Sequence, residues 1–168
     1  MKQIGVIILV ALGLMSCQHT DEKIINYIKS NELTDKTDYV IDLRDVLGVK
    51  YDSMYLFVEY SNANIASIIG KKYSNCREIA DSYERIILFK DGDIVYEDDF
   101  PLRKMCFDEI TERKDTTFSC RVHYGSTYQV ENLDGYYRLN LEKGKYPQYY
   151  LDGDSTGQSH WQNIQIVN

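Results

Sequence analysis

Asp91-Gly92 stands between two apolar runs, Arg85-Ile86-Ile87-Leu88-Phe89 and Ile94-Val95-Tyr96-Glu97. A two-residue type I′ turn needs φ > 0 at both central positions, and Asp-Gly tolerates that while matching the twist of paired strands. An antiparallel hairpin is therefore expected here, ended by Pro101. Glu97, Asp98 and Asp99 beside it read as a solvated strand edge that discourages further pairing. Met54 to Tyr60 is apolar on both faces, which suits a central strand. Ser61 or Asn62 offers an N-cap. Ile65, Ile68 and Ile69 follow at helical spacing, and Gly70 closes that helix.

The remaining segments extend the same pattern. Ile24, Ile25 and Ile28 fall on one helical face, with Asp21 and Glu22 favourably placed at its N-terminus. Tyr39 to Leu43 is a short strand candidate, Gly48 marks a turn, and Arg77 to Ala80 suits a short helix. In Phe118 to Tyr124, Phe118, Cys120, Val122 and Tyr124 share one face, and Ser119, Arg121 and His123 share the other. Turns at Gly125-Ser126 and Asp134-Gly135 make a three-stranded meander with Thr127–Glu131 and Tyr136–Leu141. Residues 144–157 read as loop, and Asn163 to Val167 as a last strand. The expected fold is α+β, a single domain over 24–168 with a mainly antiparallel sheet of about six strands and two or more short helices. The 15 tyrosines suit half-buried sheet positions, and equally a recognition surface.

At the N-terminus, Lys2 precedes an uncharged apolar run from Ile4 to Met15. A bilayer span needs about 20 residues, so this shorter run suits the core of a secretory signal instead. Leu14-Met15-Ser16-Cys17 resembles the lipobox of bacterial lipoproteins. The resemblance implies cleavage before Cys17, acylation of its sulfur and amino group, and anchoring without a transmembrane helix. Residues 1–16 would be the signal peptide and 17–23 a lipidated tether. Gln18 stands where some bacteria read Asp as inner-membrane retention, so an outer-membrane destination is implied, with the face of the membrane left open. Loss of residues 1–16 takes away Lys2 and no acid, moving the formal charge from −7 to −8. Such a chain has no electrostatic reason to bind nucleic acid. It can present an acidic face to a basic partner.

Two further stretches, Tyr51 to Tyr60 and Leu88 to Phe100, resemble motifs of small bacterial secreted or lipid-anchored proteins with an α+β domain and no assigned reaction. That group usually has Trp at the position of Tyr51 and Pro at that of Glu59. The resemblance spans roughly residues 38–141 and concerns strand, cap and hairpin.

Of four cysteines, Cys76, Cys106 and Cys120 remain beside Cys17. The implied compartment is oxidising, so a bridge is allowed. A Cys106–Cys120 disulfide would staple the polar segment between them; three reduced, partly buried thiols are the alternative, as are pairings with Cys76. Cys120-x-x-His123 cannot share an ion on a flat strand, because residues three apart face opposite sides. Asp152-Gly153-Asp154-Ser155-Thr156-Gly157 resembles the start of a calcium loop, with Asp152, Asp154 and Thr156 as ligands. Ser159 replaces the usual aliphatic residue and Asn163 the bidentate Glu, so a polar surface loop is the first reading and a weak calcium site the second. No nucleophile–base set, phosphate loop or other cofactor motif can be assembled from spacing. The expected function is a lipid-anchored, non-catalytic binding module for a protein or envelope component, toxin-neutralising immunity being one version. An envelope hydrolase with an unrecognised carboxylate site and a structural lipoprotein are the alternatives.

Overall fold

The structure, a computed structural model, describes residues 18–33, 39–58, 65–70, 73–75, 77–107, 118–141, 148–151 and 160–163. Among them the chain forms helix α1 (Thr20–Ser30), strand β1 (Tyr39–Asp42), helix α2 (Leu43–Leu47), β2 (Ser53–Val58), helix α3 (Ile65–Ile69), β3 (Tyr83–Lys90), β4 (Asp93–Pro101), β5 (Met105–Phe107), β6 (Phe118–His123), β7 (Thr127–Leu133), β8 (Tyr136–Leu141), β9 (Gln148–Leu151) and β10 (His160–Asn163). The class is α+β, as expected. The described strands number ten rather than about six, in a four-stranded sheet ordered β1-β7-β8-β5 and a six-stranded sheet ordered β10-β9-β6-β2-β3-β4. Every pairing is antiparallel except β5 with β8.

The β3–β4 hairpin turns at Asp91 (φ 50°) and Gly92 (φ 84°), both in the left-handed region that the type I′ turn requires. β2 lies between β3 and β6. Its central position explains its composition: Met54 and Leu56 enter one core, Phe57 enters another, and Tyr55 packs on the second. The first core lies between the sheets. It joins Met54, Leu56, Ile86, Leu88 and Phe100 to Ile41, Phe107, Tyr128, Val130 and Leu139 of the opposing sheet. Ile24, Ile25 and Ile28 of α1 close one side of it, each contributing about 1.5–3 kcal/mol by leaving water. The second core covers the outer face of the six-stranded sheet, where Ile65, Ile68 and Ile69 of α3 pack with Phe57, Ile87, Phe89, Cys120 and Val122.

Several sequence expectations are corrected. β6 does not form a meander with β7 and β8: it pairs with β2 and β9, while β7 and β8 belong to the other sheet. The chain crosses between sheets at Tyr124–Ser126, where Gly125 has φ 145°. Arg121 and His123 on the polar face of β6 are as buried as Cys120 and Val122 on the other, because they point between the sheets. Leu43 leaves the strand to begin α2, which Asp42 caps through its carboxylate on the Arg44 N–H. Residues 77–80 are not helical, and β9 occupies part of the expected loop 144–157. The last described strand is His160–Asn163; the rest of the expected strand Asn163 to Val167 lies outside the described residues, as do Ser61 and Asn62.

Candidate functional site

Cys17 and the Asp152, Asp154 and Thr156 candidates lie outside the described residues. No group of three metal-ligating side chains occurs among the described residues, and none of their helices is long and apolar enough to cross a membrane.

No bond joins Cys106 and Cys120, against the staple expected between them. They occupy different sheets. Met105 and Phe107 both enter the first core, so Cys106 between them points away from it, whereas Cys120 is fully buried in the second core. Burial pushes the Cys120 thiol well up, leaving it protonated and inert. Cys120 and His123 do face opposite sides of their strand, as their spacing requires. His123 is fully buried between the sheets with Nδ1 2.9 Å from the Tyr128 hydroxyl. Burial also drives its pKa well down, so the ring is neutral.

The carboxylates of β4 are not a solvated edge. Asp99 accepts from Arg85 Nε at 2.6 Å, Arg85 Nη2 at 2.8 Å and Arg77 Nη2 at 2.6 Å. Burial raises the Asp99 carboxyl, but these arginines outweigh it and hold it below the usual range. Glu97 accepts from the Tyr73 hydroxyl and the Asn75 amide. Asp98 faces the other way and receives the start of α1. It accepts from the Thr20 N–H at 2.6 Å and the Thr20 hydroxyl at 2.8 Å, with His19 Nδ1 at 3.0 Å. His19 itself makes no side-chain cap, so a strand carboxylate does that work from outside the helix. Between the sheets, Arg121 Nη2 donates to both oxygens of Glu84 at 2.8 Å.

One arrangement of charge opens to solvent. Asp42, Arg44, Asp45, Gly48, Val49, Lys50, Tyr51, Asp52 and Lys90 line a hollow of about 650 Å³ beside the β3–β4 turn. Local structure fixes each group. Asp42 caps α2 and pairs with Arg44 Nη2 at 2.6 Å. Gly48 ends α2 at φ 67°, which lets the chain turn toward Tyr51. Asp52 braces the hairpin by accepting from the Asp91 N–H at 2.9 Å and Lys90 Nζ at 2.8 Å. Hydrogen bonding to Arg44 lowers Asp42 to about 2, and the same bond raises Arg44. The Asp91 N–H and Lys90 lower Asp52, and Asp52 raises Lys90. These four groups therefore carry fixed charges, of both signs, across the neutral range.

Sequence reasoning marked Asp52 only as part of a strand motif and missed the hollow. The local signal was there: Asp42, an apolar pair at Leu43 and Leu47, and Gly48 spell a capped helical turn. No family model, curated protein or solved structure matches the chain, so the reading rests on these residues.

Proposed function

We propose that this chain is a lipid-anchored bacterial envelope protein, cleaved before Cys17 and bound for the outer membrane. On this reading residues 24–168 form one non-catalytic binding domain, and the hollow between Asp42 and Lys90 is where a protein or envelope component docks. The observation that carries the reading is the geometry of the hollow, where Asp42 pairs with Arg44 at 2.6 Å and Asp52 with Lys90 at 2.8 Å around an open space of about 650 Å³. A general acid or base works best with a pKa near the operating pH. Asp42 and Asp52 are pushed down and Arg44 and Lys90 up, all away from neutrality. Groups that stay charged at neutral pH suit the recognition of a charged ligand. Alternating signs select a ligand that itself carries both, as a folded protein or a peptide-bearing envelope polymer does. The acidic net charge favours a basic protein among these, which is where toxin neutralisation would fit.

The test is charge reversal. Wild type and the Arg44→Glu, Lys90→Glu double variant are immobilised and exposed to solubilised envelope, and the retained species are identified by mass spectrometry. The reading predicts a species held by wild type, released as salt rises, and missing from the variant. Identical retention by both proteins, with the variant's melting temperature intact, contradicts it.

A further inference from the structure

The start of the folded body is tied to the outer strand of the six-stranded sheet. Thr20 bonds to Asp98 through both its N–H and its hydroxyl, and its hydroxyl lies 3.0 Å from that of Tyr96. Lys23 adds a second hold, with Nζ 3.4 Å from the Tyr96 hydroxyl and 4.8 Å from its ring centroid. Among the described strands β4 pairs with β3 alone, and no described strand covers its other edge. The lipidation candidate Cys17 precedes Thr20 by three Cα–Cα steps of about 3.8 Å each, so the two Cα atoms lie within about 11 Å. A leash of that length outreaches the polar layer of a membrane, roughly 5–7 Å on each side of the hydrocarbon, by only a few ångström, so it holds the Thr20 end of the body at the membrane surface. β4 also presents two consecutive apolar side chains to solvent, Ile94 and Val95, exposed by 38% and 41%.

We infer that the β4 edge of the six-stranded sheet lies against the bilayer surface, with Ile94 and Val95 turned to the headgroups and Asp98 clamping the chain where it leaves the anchor. This rests on the anchor proposed above. The membrane then covers a strand edge that would otherwise invite pairing with another chain. The contact is enforced by the acyl chains and the short leash rather than by charge, because Asp91 and Asp93 at the near end of β4 are exposed acids. The partner surface is therefore lipid in general, and anionic headgroups are not required.

Acylated full protein, its modification verified by intact mass, is placed in phosphatidylcholine nanodiscs doped with a nitroxide-headgroup lipid, and backbone amide signals are read by NMR. Ile94 to Asp98 are expected to lose most of their intensity, while Val40 and Ile41 on the edge of the other sheet keep theirs. Asp98→Ala, still acylated, should restore the β4 signals by freeing the start of α1; unchanged β1 signals report that the fold survives. Acylated protein in which β4 and β1 broaden equally, or β1 broadens more, overturns the inference and leaves the anchor standing. Persistent β4 broadening in Asp98→Ala overturns the role of the clamp. An unmodified Cys17 overturns both anchor and orientation.

Discussion

Glu84 and Arg121 place opposite charges between two sheets, each side chain about 5% exposed. Taking both from water is costly, and their attraction with two 2.8 Å bonds offsets much of that cost only while both are present. Arg121→Met should therefore destabilise by about 3–5 kcal/mol, because it strands a buried carboxylate. The double variant Glu84→Leu, Arg121→Met should lose much less; denaturant unfolding of both proteins decides it. Two other aspartates, Asp42 near the surface and Asp99 inside, tie stability to pH. Asp42 and Asp99 have folded pKa values below their unfolded ones, so their stabilisation is present above about pH 4 and fades as pH falls toward the folded values. For Asp42 that window runs down to about 2. His19 and Asp21 run the other way. The Asp98 bond raises His19 and burial raises Asp21, so each contributes most at low pH and loses ground as pH rises through its folded value. The melting temperature should fall steeply between about pH 4 and 2. Replacing Asp99 with Asn should lower the neutral plateau and flatten that fall, as a pH series of thermal melts would read.

At the scale of elements, what the sequence discloses is what local rules decide. The Asp91-Gly92 turn and the Ile65–Ile69 helix closed by Gly70 each depend on neighbours in the chain, and each is present; β2 also shows its central position, through its own two-faced apolar composition. Gly92→Val should cost on the order of 1 kcal/mol or more, because a β-branched residue resists the φ of 84° found there. A melting temperature equal to wild type would contradict that. Pairings between distant segments are not local, and there the sequence is silent. Alternation in Phe118–Tyr124 marks a strand correctly but cannot say which sheet receives it. Placing β6 beside β2 depends on partners that lie far back in the chain. The same limit hides the site. Asp42 and Lys90 line one hollow although they lie far apart in the chain, and Asp52 braces the Lys90 side by bonding both Lys90 and the turn after it. Acids at 97–99 resemble a charged edge in sequence; Arg77 and Arg85 convert Asp99 into an internal pair, and α1 claims Asp98.

The whole molecule divides its charge by depth. Inside, arginines hold Glu84 and Asp99 and maintain the sheets; outside, Asp42, Arg44, Asp52 and Lys90 stand as fixed charges around an open hollow. The entry to the fold is clamped to β4 at Thr20, so whatever is attached just before it is attached to the body itself. The clamp caps α1 whether or not anything precedes it; an acyl anchor at Cys17, as proposed, would be held to the body through it. That anchor is the account's central claim. Intact mass spectrometry of the protein extracted from membranes of a bacterium that expresses the full chain tests it directly. The account predicts a chain that starts at Cys17 and carries the added mass of its acyl groups, a mass abolished by Cys17→Ser. A mature chain with an unmodified Cys17, or one that retains residues 1–16, would contradict it.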